Sequence, residues 1–285
     1  MPSPQFETPE VNTILTGLGF GESPRWHDNR LWFCNWGLQE VVAVDMAGRS
    51  QVMARIPTTI PFCIDWLDEK LLIVSGQERL LLRQESDGTL VTHADLTNLA
   101  QTGFNEIVVD GRNNIYVNGG GPGINGAQGI IALVTPDGQS RQVAEDIAFP
   151  NGMAITPDNS TLIIAESHGK RLTAFDIGKD GDLSNRRVWA DLGDGVPDGI
   201  CIDTENAVWY ADVPNLRCVR VREGGKVLQT VNVDRGCFAC MLGNTDRKTL
   251  FIVAAKWFGF AKMMEGMGSG QLLAINVSYP KAGWP

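Results

Sequence analysis

The chain has 285 residues, 43% hydrophobic and 20% charged, which is enough to bury one large core without a second domain, so residues 1–285 are read as a single domain. A formal net charge of −9 excludes a nucleic-acid binder, which needs a basic face. No apolar run approaches the length of a membrane span, and the polar opening Met1-Pro2-Ser3-Pro4-Gln5 lacks the apolar core of a secretory signal.

In chain order, residues 1–8 read as loose and 11–15 as a strand. Then a pattern begins and repeats. A short apolar run, a turn rich in Asp, Asn and Gly, and a second apolar run make a hairpin signature. It appears at 21–33 with the turn His27-Asp28-Asn29-Arg30, and at 61–74 with the turn Leu67-Asp68-Glu69-Lys70. Residues 91–101 read as a connecting segment. The pattern returns at 104–117, then runs into a glycine-rich stretch, 118–126, expected to be a loop near a functional site. It recurs at 149–164 and at 197–210, and a looser copy spans 238–253. A long insertion at 256–269, rich in Met, Phe and Gly, is expected either as an apolar lid or as a wide connection over the core. Third and fourth strands follow in most units, such as 40–45 and 171–176.

Aligned on their hairpins, the units start at Glu22, Phe62, Asn105, Asn151, Asp198 and Phe238, about 40 to 47 residues apart. That period, with about four short strands per unit, predicts an all-β, six-bladed β-propeller. The sixth unit supplies only three strands, so the N-terminal strand is expected to complete the last blade and close the ring; an open ring would leave unpaired edges. The six cysteines fall mostly within predicted strands and, with no export signal, read as reduced thiols of a cytoplasmic protein. Cys237 and Cys240 have no second Cys or His pair beside them, so they read as strand residues rather than a zinc site.

In a propeller the first strand of each blade lines the central channel, so residues at one point of that strand converge on the axis. Glu22, Asn105, Asn151 and Asp198 would form a ring of oxygen donors, with Phe62 and Phe238 as apolar walls. Two carboxylates and two carboxamides suit a hard divalent cation, with Ca²⁺ first and Mg²⁺, Mn²⁺ or Zn²⁺ as alternatives. The three histidines do not suit a triad: His27 and His168 read as turn residues and His93 as part of a connector. Glu166 and Asp212 occupy matching places after second strands and read as solvated hairpin ends. Phe62, Phe238, Trp257, Phe258 and Phe260 point to a substrate with more apolar surface than a bare sugar lactone.

Gly21-Glu22-Ser23-Pro24, Phe104-Asn105, Pro150-Asn151-Gly152 and Pro197-Asp198-Gly199 together resemble the entrances of the regucalcin/gluconolactonase/luciferin-regenerating-enzyme family, over residues 17–277. The resemblance implies a six-bladed propeller with one divalent cation held by Glu22, Asn151 and Asp198, and hydrolysis of a small-molecule lactone or similar ester. It implies a substrate contact for Asn105, which in the related diisopropyl-fluorophosphatase type of propeller also binds the metal. One position departs: where sugar-lactonase members often carry an Arg two residues before that Asn, this chain has Gly103. Asp198 is the candidate catalytic residue, either as a base toward water or as a nucleophile. Hydrolysis of a phosphotriester or fluorophosphate, and a non-catalytic cation-binding propeller, are the alternatives; oligomeric state is left open.

Overall fold

A computed structural model of the chain describes residues 10–56, 58, 60–119 and 128–285. Its strands form six antiparallel sheets, each a blade around a central axis. The inner strands are Gly21–His27, Phe62–Leu67, Phe104–Val109, Pro150–Ile155, Pro197–Asp203 and Gly236–Gly243, in blades 1 to 6. Blades 1 to 5 then step outward strand by strand in sequence order.

Local sequence explains the layering. Middle strands are covered on both faces by neighbouring blades, so they are continuous apolar runs rather than alternating ones. Leu162, Ile163, Ile164 and Ala165 of Thr161–Glu166 are all fully buried. The outermost strands carry polar residues instead, as in Ser50–Arg55. The hairpin turns use residues that tolerate positive φ: Asp28 and Asn29 sit at 48° and 57°, the two-residue turn whose twist matches that of its strands.

The ring closes as expected. Strand Asn12–Leu18 pairs antiparallel with Gly270–Asn276 and completes blade 6. Leu18 is buried in the cluster that joins blades 5, 6 and 1. All six cysteines are buried free thiols, as their strand positions required. Among the described residues, no helix is long and apolar enough to cross a membrane.

Two expectations need correction, and one contact was not anticipated. Residues 91–101 are not simply a connector: Leu90–Asp95, which contains His93, is the outer strand of blade 2. Polar alternation on an outer strand hid it. Glu166 and Asp212 are not solvated. Both are fully buried, because each is clamped by an arginine five residues on, Arg171 and Arg217. The C-terminal segment also takes part in the fold. Lys281–Ala282 adds to the inner strand of blade 5, and Trp284 exchanges backbone hydrogen bonds with Ile155 of blade 4, at 2.7 and 3.0 Å. The glycine-rich stretch lies outside the described residues from 120 to 127, as does the Phe260 side chain.

Candidate active site

Five of the six inner strands break their ladder register near the upper end. The breaks fall between Glu22 and Arg25, Phe104 and Glu106, Pro150 and Met153, Pro197 and Ile200, and Cys237 and Ala239. A β-bulge takes a residue out of the pleat and re-aims its side chain. Here the bulges turn Glu22, Asn105, Asn151, Asp198 and Phe238 toward one cavity of about 510 Å³ on the axis. The glycines beside them are sterically required. A Cβ on Gly152 would lie 2.5 Å from the Ile200 nitrogen, and one on Gly199 would lie 2.5 Å from the Ala239 Cβ.

Blade 2 has no such break. Phe62 pairs with Ser75 and Cys63 with Val74 in regular register. Phe62 therefore stays in the pleat, fully buried between blades 1 and 2, and is not a wall of the cavity. Ile60 and Pro61 line that side instead. The Phe62 carbonyl accepts a 2.6 Å hydrogen bond from Trp36 Nε1, which fixes the indole that does line the cavity.

The floor is polar and tightly wired. Asn105 Nδ2 donates to Asn151 Oδ1 at 3.0 Å and to the Pro150 carbonyl at 3.3 Å. Asn151 Nδ2 donates to Ser167 Oγ at 3.3 Å, and Ser167 Oγ donates to the Pro197 carbonyl at 2.6 Å. These bonds tie the inner strands of blades 3, 4 and 5 together at the site. Ser167 itself lines the cavity and escaped the sequence reading, which stopped at its neighbour His168. His168 is an exposed turn residue stacked on Phe149.

Glu22 and Asp198 face each other with no basic side chain ion-paired to either among the described residues. Burial pushes the Glu22 carboxyl well up, and the Asp198 and Glu106 carboxylates push it further. Burial does the same to Asp198, followed by Glu106. Below them a second network crosses the channel. Arg25 of blade 1 donates to Glu106 Oε1 at 3.1 Å and to the Ile107 carbonyl at 2.6 Å in blade 3. Ser23 Oγ donates to Glu106 Oε1 at 3.2 Å, and Asp65 of blade 2 lies 3.7 Å from Arg25. Neither Arg25 nor Glu106 was singled out in the sequence; their roles depend on cross-channel contacts no local pattern reveals.

The walls are apolar: Trp36, Phe149, Val213, Phe238, Trp257 and Met263 stand around the four polar groups. The insertion at 256–269 supplies Trp257, Gly259 and Met263 and is closed at its neck. The Lys256 N–H donates to Ser269 Oγ at 2.9 Å, and Arg235 Nη1 donates to the Ser269 carbonyl at 2.7 Å.

Residues 20–256 match the family described as the SMP-30/Gluconolactonase/LRE-like region. The chain belongs to this family. Regucalcin of Oryctolagus cuniculus is 32% identical over 135 residues, which cover 45% of each chain. Diisopropyl-fluorophosphatase of Loligo vulgaris is 28% identical over 163 residues, 51% of this chain and 52% of that one. The chain thus spans about half the length of the relatives it matches. Among solved structures, luciferin-regenerating enzyme superposes with a TM-score of 0.83 at 17% identity, covering 96% of this chain and 98% of that one. Regucalcin from Agrobacterium tumefaciens, described as a calcium-binding protein, gives 0.82 at 20% identity over 97% of each. At those identities the structural likeness is one of fold.

Among the described residues, no cluster of three or more His, Cys, Asp or Glu side chains is placed to hold a metal. What the cavity offers is two carboxylates and two carboxamides, an all-oxygen set. Across the channel, Glu22, Asp198, Glu106 and Asp65 are opposed by Arg25 and, from the C-terminal segment, Lys281. Arg25 is taken up by Glu106 and Asp65, so Glu22 and Asp198 at the cavity floor have no cationic partner of their own among the described residues, and ionising both would put two negative charges there. Buried charge of that size is costly unless neutralised. One divalent cation would balance it, so the residues fit the group that hard-oxygen chemistry calls for.

Proposed function

We propose that the chain is a divalent-cation-dependent hydrolase acting on a lactone or similar cyclic ester with a less sugar-like body. The observation that carries this is the pair of buried carboxylates, Glu22 and Asp198, set beside two carboxamides at the floor of an otherwise apolar cavity. Glu22, Asn151 and Asp198 would hold the cation, Ca²⁺ first, with Mg²⁺, Mn²⁺ or Zn²⁺ as alternatives. When bound, the cation would polarise the carbonyl oxygen of the substrate.

The chain's own groups supply the rest. Asn105 orients the substrate at the floor, and its link to Asn151 sets where the carboxamides stand. A carboxylate oxygen of Asp198 takes a proton from water as the water oxygen attacks the carbonyl carbon; the same oxygen attacking that carbon directly is the nucleophilic variant. The ring C–O bond then breaks, and the alkoxide oxygen takes up a proton to give the hydroxy acid. Trp36, Phe238 and Trp257 exclude bulk water and pack against the apolar part of the substrate. A sugar lactone would leave several hydroxyls facing these walls unpaired. The unpaired buried thiols support a cytoplasmic protein.

The test is hydrolysis of a panel of glucono-, alkyl and aryl lactones by metal-stripped protein, with each metal added back, beside Asp198→Ala. Restored activity that the variant lacks by roughly 10²–10⁴-fold is the expected result. Activity restored without metal would sink the proposal. Because the squid fluorophosphatase is among the relatives, a fluorophosphate belongs in the panel. A faster rate there than on every lactone would move the assignment to phosphorus–fluorine cleavage.

A further inference from the structure

Asn151 and Asp198 stand at the same place in adjacent blades, and the register there is the same in both. Pro150 pairs with Glu166 and Pro197 with Asp212, each just ahead of the bulge. Ser167 and Val213 therefore occupy equivalent positions, one residue past the second strand, and both line the cavity. The blade that offers a carboxylate has valine there, and the blade that offers a carboxamide has serine. Chemistry accounts for the difference. The two oxygens of a carboxylate are interchangeable, so either orientation presents oxygen. The two ends of a carboxamide match in shape but not in function, one accepting and the other donating, so presenting oxygen requires a neighbour that fixes the orientation.

Ser167 is built to do this. Its backbone N–H donates to the Phe149 carbonyl at 3.1 Å and the residue is buried, so the hydroxyl is held in place. The Pro197 carbonyl can only accept, so the single hydroxyl hydrogen goes to it, at 2.6 Å. What Ser167 Oγ turns toward Asn151 is a lone pair, 3.3 Å from Asn151 Nδ2. The Asn151 NH2 group must face it, which turns Oδ1 away. That oxygen accepts from Asn105 Nδ2 at 3.0 Å, and the second Asn105 hydrogen goes to the Pro150 carbonyl at 3.3 Å. The bonds thus run one way, from Asn105 through Asn151 and Ser167 to a backbone carbonyl. A flipped Asn151 would set its oxygen against Ser167 Oγ with no hydrogen between them, and its NH2 against that of Asn105. The Asn151 backbone is pinned separately, since its carbonyl accepts from Asn118 Nδ2 at 2.6 Å. The orientation of the carboxamide is the freedom that Ser167 removes.

We infer that Ser167 is a positioning residue that makes Asn151 offer its oxygen, rather than its NH2, to a bound cation; this rests on the cation-dependent reading of the site. Ser167 acts through Asn151 and not as a ligand. Both Asn105 Nδ2 hydrogens and one of those on Asn151 are used inside the ring, which leaves oxygen for the carboxamides to present beside Glu22 and Asp198. Without the hydroxyl, Asn151 is free to present NH2, whose partial positive charge opposes a cation.

The test titrates the metal-stripped full chain with Ca²⁺, Mg²⁺, Mn²⁺ and Zn²⁺ by calorimetry, beside Ser167→Ala, Ser167→Thr and Ser167→Val. The last two share a shape and differ in the hydroxyl, so packing effects cancel between them. Ser167→Ala and Ser167→Val are expected to raise the Kd of the bound metal by about 10–100-fold, as loss of a partner that orients a ligand does, and Ser167→Thr to restore it. Circular dichroism spectra should be alike in all four proteins. Ser167→Thr binding no tighter than Ser167→Val, or Ser167→Ala binding as tightly as wild type, would overturn the inference and leave the cation site standing. A wild-type protein that takes up none of the four metals would overturn the proposed function along with it.

Discussion

Glu166 and Asp212 show what a single buried acid does in this fold. Glu166 accepts from Arg171, Arg186 and Thr173 side chains and from the Ala148 N–H. Burial alone would push its carboxyl up, but these partners together hold it below the usual glutamate range. Its stabilising contribution is therefore complete above about pH 4.3 and is lost as pH falls through its lowered value. Glu166→Gln should cost about 1–3 kcal/mol at pH 7, discounted because both arginines are partly exposed. The gap between the denaturation midpoints of variant and wild type should narrow as pH falls through the lowered Glu166 value; a gap that does not narrow with acid would rule out the charge as its source. The sequence held the signal in Glu166…Arg171 and Asp212…Arg217, the same acid-to-arginine spacing in adjacent blades. It was missed because polar residues at hairpin ends usually face water. The floor residues were legible for a related reason. Pro-Asn-Gly, Pro-Asp-Gly and Glu-Ser-Pro carry the bulge chemistry in their own composition, whereas Asn105 and Phe238 bulge with no Gly beside them and Phe62 stays in the ladder, a difference no local pattern marks.

At the scale of the element, the blades follow from hairpin spacing, and the closing strand follows from counting three strands where four are needed. The outer strand of blade 2 and the pairing of Lys281–Ala282 did not, because neither has an apolar run to announce it. The closing strand is held mainly by its ladder, since most of Asn12–Leu18 is at least partly exposed and Leu18 alone is fully inside. Leu18→Ala should cost about 2–5 kcal/mol. Truncation before Gly19 should do more, baring the edge of Gly270–Asn276 and driving association that gel filtration would detect. A monomeric, fully active truncation would show that the edge is covered some other way.

For the whole molecule, the channel's charge balance is the property with the widest reach. Without a cation, Glu22 and Asp198 carry raised pKa values, so the stability tied to them is present below the ordinary carboxylate range and is lost as pH rises through those values. Binding a divalent cation should reverse that trend. Chelation is expected to lower the melting temperature little at pH 5 and much more at pH 8, with recovery that grows with added metal. Equal melting temperatures with and without chelator at pH 8 would argue against a bound cation. Ring closure also has a consequence in time. Asn12 pairs with Ala274, so during synthesis this strand must wait until Gly270–Asn276 has been made before it has a partner. Synthesis therefore presents five blades and an open sixth, and pairing across that distance is slow to find. Yield in the cell should depend on how long that waiting edge is shielded during translation more than on the strength of the finished ring.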